Sequence, residues 1–292
     1  MKKISSYIWD YKFSYLAAVL SLLAAVTLDM MAPRLTARVV DDVILGGKTG
    51  ELGSLLLGFL GIGLGRCVFQ YIKEYTFDKN GARISGDMRR DLFRHIQGLS
   101  ADFFDRTNTG ELMARVKEDI DHIWDAVGYV GMLLLEVFYH TCIILVCMYM
   151  LNWKLALLPT AAMLLCGSIA IIMERKLGVV YEEISEENAA LNTVAEENLG
   201  GVRTVKAFAR ESFEIDKFLA HNKRYYDLNM AQSKVFVRYY PFFTVVSKVL
   251  PLLTILVGGS LVMSKEMTLG RMTAFVEYSM NIVWPMEMLG WL

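Results

Sequence analysis

Residues Phe103–Asp121 have the sequence FFDRTNTGELMARVKEDID. This stretch is too polar to enter a bilayer, yet it lies between two apolar runs that are each long enough to cross one. Asn108 is followed three residues later by Glu111, which is a signature of a helix start, and Gly110 between them permits a sharp turn. We therefore predict that the chain leaves the membrane here, turns, begins a new helix and returns.

The composition is typical of a membrane protein. The chain has 292 residues, of which 54% are hydrophobic, and its mean hydropathy is +0.37. Soluble domains rarely combine these values. We predict an all-α membrane protein with six long transmembrane helices that extend into the cytoplasm. The predicted spans, each near the ~20 residues that a bilayer requires, cover about 14–33, 52–73, 127–151, 153–173, 240–262 and 270–292.

The basic residues indicate an orientation. Of the 30 Lys and Arg residues, three lie in the N-terminal segment, nine between Lys73 and Lys117, and ten between Arg175 and Arg238. Positive charge accumulates on the cytoplasmic side of membrane proteins. We therefore expect a multi-pass membrane protein whose N-terminus and two large polar segments are cytoplasmic. The expected location is the bacterial inner membrane.

Both polar segments, 74–126 and 174–239, keep the helical spacing of apolar residues. They contain no proline, which would break or kink a helix, so nothing forces the helices to stop at the membrane surface. The second predicted helix could run from Leu52 to about Ser100, which is roughly 70–75 Å against a hydrocarbon core of ~30 Å. The second segment repeats the plan, with Gly200 and Gly201 interrupting its helix.

Four groups of residues point together to a known family. They are Arg90–Ile96 with Phe103–Asp105, Thr109–Leu112 with Arg115 and Asp119, Glu197–Phe208 with Arg210 and Glu211, and the pair Val39–Asp41 and Thr268–Gly270. These groups resemble the transmembrane domain of ABC exporters (type I exporter, type IV fold). The resemblance covers essentially the whole chain, 1–292, in the same order, and its two loop motifs are independent of each other.

The resemblance implies a mechanism. In such proteins the two hairpin tips form coupling helices that dock into nucleotide-binding domains, and ATP-driven closure of those domains switches the cavity of a transmembrane-domain dimer between its two sides. Coupling helix 1 would comprise Arg106, Thr107, Asn108, Thr109, Gly110, Glu111, Leu112 and Arg115. Coupling helix 2 would comprise Arg203, Thr204, Val205, Lys206, Ala207, Phe208, Ala209, Arg210 and Glu211.

The chain departs from the full pattern of an ATP-driven exporter. A Gly-x-x-x-x-Gly-Lys-Ser/Thr phosphate loop is absent from the sequence. The glycines of Gly61–Gly65 lie in a predicted span and indicate close helix packing. We therefore predict no catalytic residue or cofactor site in this chain. ATP and Mg²⁺ are expected in a nucleotide-binding domain, either beyond a truncation at Leu292 or on a separate subunit.

Six ionisable residues fall inside the predicted spans, where a charge is costly. They are Arg66, Glu136, His140, Lys248, Glu277 and Glu287. Such residues either line the translocation cavity or pair internally and fix helix packing, and the sequence leaves both readings open. Glu136 and His140 share one helix face, but two ligands do not make a metal site, so no metal is predicted.

Two other classes of function compete with the exporter. A secondary transporter or channel would need no ATPase and should show inverted repeats or helices broken at midmembrane. A membrane-anchored signalling protein should carry an output domain in place of two hairpins. The sequence does not identify the substrate, because a lipid, a peptide, a drug-like cation or a metal chelate would each suit a cavity of this composition. No nucleic-acid-binding pattern is present.

Overall fold

The computed structural model describes residues 4–106 and 109–291. The described residues form helices and no strand, which confirms the all-α prediction. The α-helices are α1 (Ile4–Asp10), α2 (Lys12–Asp29), α3 (Ala32–Arg38), α4 (Leu52–Gln97), α5 (Ala101–Arg106), α6 (Thr109–Ala114), α7 (Ile120–Asp125), α8 (Gly131–Leu151), α9 (Trp153–Gly200), α10 (Val202–Ala207), α11 (Glu211–Met263), α12 (Leu269–Asn281) and α13 (Val283–Trp291). Single π-helical stretches at Val39–Leu45, Arg115–Asp119 and Ala126–Val130 connect some of them.

Five helical segments of the described chain are long and apolar enough to cross a membrane. They are Lys12–Leu45, Thr49–Gln97, Leu112–Leu151, Trp153–Gly200 and Glu211–Met263. The predicted sixth span, 270–292, is divided by Ile282 into α12 and α13. Its helices are therefore shorter than a bilayer crossing, and the count of six spans stays a prediction.

Helix α4 continues far beyond its apolar part. Its 46 residues correspond to ~70 Å at 1.5 Å per residue. It ends at Gln97, close to the predicted end near Ser100. This length confirms that a proline-free sequence lets the helix run on past the apolar residues.

One residue joins α8 to α9, as the predicted spans 127–151 and 153–173 require. Asn152 is extended, with φ −158° and ψ 110°. Its side-chain Oδ1 accepts hydrogen bonds from the backbone N–H groups of Lys154 (3.0 Å) and Leu155 (3.2 Å). An Asn side chain that satisfies two N–H groups left without partners at a helix start is a strong N-terminal cap.

The chain divides into two compact units. The first contains the described residues up to Pro159 together with Pro251–Pro285, and the second contains Thr160–Leu250 and the described residues from Met286 onward. Each unit is described below by itself.

In the first unit, α1 and α7 cover the polar end of α4. Tyr7, Ile84, Met88 and Ile120 form a buried apolar cluster. The hydroxyl of Tyr7 donates to Asp91 Oδ2 of α4 at 2.9 Å. Burial and this hydrogen bond raise the pKa of Tyr7, so the phenol stays a donor at neutral pH. The amphipathic extension of α4 thus has its apolar face covered by the same unit.

Two of the sequence patterns named above, Val39–Asp41 and Thr268–Gly270, contact each other in the first unit. Asp41 Oδ1 accepts from the N–H of Gly270 (2.8 Å), and Asp41 Oδ2 accepts from the hydroxyl of Thr268 (2.6 Å). Thr268 in turn caps α12 by accepting from the N–H of Arg271 (3.2 Å). A Cβ atom on Gly270 would lie 2.6 Å from Asp41 Cγ. The start of α12 is therefore fixed on Asp41, and position 270 has no room for a side chain.

We expect Gly270→Ala to destabilise the protein by ~1–3 kcal/mol, because the added methyl group would clash with the backbone carbonyl of Ala37 and with the Asp41 carboxyl group. Gly259→Ala is the matched control, since a Cβ there meets nothing within 4 Å. Thermal unfolding in detergent micelles compares the two variants. Equal unfolding temperatures would show that the Asp41 contact does not fix α12.

Candidate functional site

The first candidate site is tip 2, defined as Gly201–Glu211 in the second unit. Helix α9 ends at Gly200, and the short α10 follows directly. The chain then turns through Phe208 and Ala209, and Ala209 has a positive φ of 51°. The N–H of Arg210 donates to the carbonyl of Val205 at 3.0 Å and closes the turn. Helix α11 begins at Glu211.

Tip 2 presents apolar side chains to its surroundings. Phe208 is 75% exposed, and Leu199, Val202 and Phe213 are exposed around it. Covering a phenylalanine side chain is worth ~1.5–3 kcal/mol, and protein interfaces are commonly anchored by buried aromatic residues within a polar rim. Tip 2 therefore presents an exposed aromatic side chain of the kind that anchors protein interfaces.

A groove of about 430 Å³ lies in the same unit and includes Val205 and Glu211, which flank Phe208 in the sequence. It is formed by the end of α9, by α10 and by the first turns of α11, and it is lined by Ala195, Asn198, Leu199, Val202, Val205, Glu211, Glu214, Ile215, Phe218 and Leu219. Its walls are mostly apolar, with two carboxylates at the edge. The groove and the exposed ring together offer both a recess and an anchor to a partner.

Within the second unit, ion pairs join α9 to α11 at positions outside tip 2. Glu187, which is buried, contacts His221 Nδ1 at 2.6 Å and Arg224 Nε at 3.1 Å. Nearer the tip, Lys217 Nζ lies 3.4 Å from Glu197 Oε2. A carboxylate that contacts two partners on the facing helix fixes the register of α9 against α11.

The second candidate site, tip 1, comprises α5, α6 and their connection in the first unit. Thr107 and Asn108 of the predicted coupling helix 1 lie outside the described residues, as do the side chains of Arg106, Thr109 and Glu111. Gly110 and Arg115 are exposed, and Leu112 is half-buried. Among the described side chains of tip 1, Met113 is apolar and 60% exposed.

Tip 1 is tied back to α4. The side chain of Arg89 on α4 donates to the carbonyl of Val116 (3.4 Å) and to Asp121 Oδ1 (2.9 Å). Val116 and Ile120 are buried. The chain that returns from tip 1 is therefore held to α4 by both apolar packing and hydrogen bonds.

The helices at the tips are shorter than the predicted segments. The predicted Arg106–Arg115 contains α6, which ends at Ala114, and the predicted Arg203–Glu211 contains α10 only as far as Ala207. Arg203, Thr204, Val205 and Lys206 lie within α10. The positive φ of Ala209 ends the second helix, because a right-handed helix requires a negative φ. The spacing of residues in the sequence does not predict a positive φ at an alanine.

The third candidate site is a polar cavity of about 460 Å³ in the first unit. It contains three of the six predicted intramembrane residues, Arg66, Glu136 and His140. Asp29 of α2 and Gln70 and Glu74 of α4 also line it. Glu277 lies elsewhere in the first unit, where it accepts from Thr36 Oγ1 at 3.2 Å. The exposed Lys248 and the half-buried Glu287 belong to the second unit.

The charges of this polar cavity are paired. Arg66 Nη1 donates to Asp29 Oδ1 at 2.5 Å. Lys73 Nζ, which is 1% exposed, donates to Glu136 Oε2 at 2.9 Å. Cavity lining and internal pairing were alternatives in the sequence, and in the structure both apply to the same residues. Lys73 was missed because it closes a predicted span, although its spacing from Arg66 on one helix face could have indicated it.

His140 lines the same polar cavity as Arg66, Asp29 and Glu136. Its ring centroid is 5.7 Å from that of Trp284. Its Nε2 atom is buried, with no hydrogen-bond partner among the described residues. Within residues 4–106 and 109–291, no three His, Cys, Asp or Glu side chains are grouped so as to hold a metal ion.

Comparison with known protein families matches residues 15–286 to the ABC transporter transmembrane region. Among curated proteins, the chain is 24% identical to the "Uncharacterized ABC transporter ATP-binding protein YknU" of Bacillus subtilis, over 99% of this chain and 49% of that protein. It is 28% identical to an ATP-dependent lipid A-core flippase of Desulfotalea psychrophila (94% and 48%) and 26% identical to the multidrug resistance-like ATP-binding protein MdlA of Escherichia coli (95% and 48%). The chain spans about half the length of the curated relatives it matches.

We expect Lys73→Met to destabilise the protein by ~3 kcal/mol, because it leaves the partly buried Glu136 without its cation. The double variant Lys73→Met/Glu136→Gln should recover much of that loss. SDS-driven unfolding in mixed micelles measures the coupling energy of the pair.

The pair Lys154–Glu266 is the matched control for this cycle. Its N–O distance is also 2.9 Å, but its side chains are 54% and 48% exposed, so its coupling should not exceed ~1 kcal/mol. Equal coupling energies in the two pairs would show that burial does not strengthen the Lys73–Glu136 interaction.

Proposed function

The chain belongs to the ABC transporter transmembrane region family, and from that premise we propose that it is the transmembrane part of an ATP-driven exporter. Its partners would be nucleotide-binding domains, a second transmembrane domain and the lipid bilayer. The exported substrate would pass through a cavity shared by the two transmembrane domains. The names of the relatives, which include ATP-binding and ATP-dependent proteins, support the ATPase partner.

The observation that carries the proposal is tip 2. A largely exposed phenylalanine and a mostly apolar groove both lie where two long helices, α9 and α11, end and begin. A water-exposed surface of this kind is explained by a protein that covers it. In the proposed function, a nucleotide-binding domain covers tip 2, and tip 1 docks in the same manner.

In the proposed mechanism, stiff helices transmit the movement of the nucleotide-binding domains to the cavity. ATP and Mg²⁺ would bind in the nucleotide-binding domains and supply the energy for their closure. This chain would contribute docked tips and long helices that move with them. The contacts of the buried Glu187 with His221 and Arg224 would keep α9 and α11 in register near tip 2, so that a displacement is transmitted with little bending.

The orientation is part of the proposal. The accumulation of Lys and Arg in the N-terminal segment and in the two polar segments favours a cytoplasmic location for the N-terminus and for both tips. The bacterial relatives favour the inner membrane. A cytoplasmic location would give both tips access to domains that use cytoplasmic ATP.

An ATP-independent secondary transporter is the second candidate. The division of the predicted sixth span at Ile282 into two helices favours it, because interrupted helices are typical of secondary transporters. That class has no use for two exposed tips, whereas the exporter uses both. We therefore place the exporter first.

We expect Phe208→Ala in the full-length protein to reduce substrate-stimulated ATP hydrolysis and transport at least about tenfold, because an interface loses its aromatic anchor. Expression and the unfolding temperature should stay unchanged, since the side chain is exposed in this chain. ATPase and transport assays in proteoliposomes measure both activities.

Phe138→Ala is the matched control, because Phe138 is also exposed but lies within α8, in a predicted span. It should leave coupling intact. Wild-type stimulation and transport in Phe208→Ala would contradict the docking role of tip 2.

A further inference from the structure

A second cavity of the first unit adjoins the polar cavity and has a different chemistry. We call it the aromatic–acidic cavity; its volume is about 510 Å³, and it is lined by Tyr71, Glu74, Tyr75, Phe77, Asp78, Gly128, Tyr129 and Met132. Glu74, Tyr129 and Met132 also line the polar cavity. Four of its residues, Tyr71, Glu74, Tyr75 and Asp78, share one face of α4, because they are spaced i, i+3, i+4 and i+7.

A close approach of two backbones places Tyr129 opposite this face. Trp124 packs where α4 and the stretch Ala126–Val130 meet at Gly81 and Gly128. A Cβ atom on Gly81 would lie 2.7 Å from Trp124 Cδ1 and 3.3 Å from Gly128 Cα. Only glycine at position 81 permits this contact without a shift of the indole ring, so the fold specifically brings the Tyr129 phenol to α4.

The charge of the aromatic–acidic cavity is negative. Its lining includes the carboxylates of Glu74 and Asp78 and, among the described residues, no Lys, Arg or His side chain. The buried ammonium of Lys73 lies 2.9 Å from Glu136 and 3.9 Å from Glu74, so these two carboxylates share one cation. Asp78 is a further carboxylate of the lining. The cavity favours a ligand that supplies positive charge.

The walls of the cavity suit the body of an organic cation. Tyr71, Tyr75 and Tyr129 are each more than half exposed, and the rings of Tyr71 and Tyr75 are nearly parallel, with centroids 5.9 Å apart. Faces of aromatic rings attract cations. Lys79 Nζ already lies 5.2 Å from the centroid of the Tyr75 ring, so that ring accepts a cation in this structure.

We propose that the aromatic–acidic cavity binds an organic cation with an apolar body, which is held by the carboxylates of Glu74 and Asp78 and by the rings of Tyr71 and Tyr129. The volume lies in the usual range for small-molecule sites. An anion of the same shape is repelled by both carboxylates. Its assignment as a substrate subsite rests on the proposed exporter function, whereas the binding itself does not.

The probe is radiolabelled tetraphenylphosphonium, which is a rigid apolar cation. Binding is measured to the full-length protein in phosphatidylcholine nanodiscs without nucleotide, so that the lipid adds no net charge. We expect saturable binding that weakens at least about tenfold in Glu74→Gln/Asp78→Asn, since two carboxylates are lost. Glu182→Gln, which removes an exposed carboxylate of α9, is the control and should bind like the wild type.

Three further variants and one competitor separate the contribution of the aromatic ring from that of the charge. Tyr129→Leu should weaken binding roughly three- to thirtyfold, as the loss of a cation–π contact predicts, whereas Tyr129→Phe keeps the ring and should retain binding. Glu74→Asp keeps the charge and should retain most of the affinity. Tetraphenylborate, which has the same shape and the opposite charge, should not compete.

Unchanged affinity in Glu74→Gln/Asp78→Asn, or equal competition by tetraphenylborate, would overturn the proposal. ATP-driven transport is measured on the same preparations to separate the two proposals. If binding depends on the carboxylates but ATP drives no transport, the exporter function fails and the cation site stands. If ATP drives transport but binding ignores both carboxylates, the cation site alone fails.

Discussion

The structure depends on one constraint, which is the unbroken backbone hydrogen bonding of α4. In lipid every N–H and C=O group must be satisfied within the segment, so a spanning segment must be helical. Beyond the lipid the helix can end wherever its sequence stops it. No residue between Leu52 and Gln97 is a proline, and the apolar face of the extension is covered by α1 and α7. The helix therefore continues, and one rigid element bears both cavity residues and the contacts of tip 1.

Because α4 is continuous, one helix connects the polar residues that lie along it. Arg66, Glu74 and Asp78 line the two cavities. Lys73 pairs with the cavity-lining Glu136, and Arg89 holds the return from tip 1. Apart from Glu136, all of them belong to one helix within one unit, so a rigid α4 would move the cavity walls when its end at tip 1 is displaced. In the exporter we propose, this is the route by which the state of a nucleotide-binding domain changes the exposure of a cation bound near Glu74.

The long helices and both hairpins could be predicted from the sequence because they depend on local signals. Apolar periodicity and the lack of proline predicted the length of α4, and Asn152 and Gly200–Gly201 marked real helix boundaries. The partners of the buried charges could not be predicted, since Lys73–Glu136 and Asp41–Gly270 join residues that are distant in sequence. The positive φ of Ala209 also lacks a local signal in the sequence. The break at Ile282 does have one, because Pro285 lies three residues later and cannot donate a helical N–H.

The rigidity of α4 is tested most directly by a spin-label distance along it. Leu57 and Phe93 are exposed on α4 and, 36 residues apart, should be separated by ~54 Å in an intact helix. Pulsed electron paramagnetic resonance on the full-length protein, labelled at these two positions and diluted with unlabelled copies, measures this distance. We predict a single narrow distribution near that length, the same without nucleotide and with ATP and vanadate. A shorter second population, or a shift on nucleotide binding, would show that α4 bends and would contradict transmission through a rigid helix.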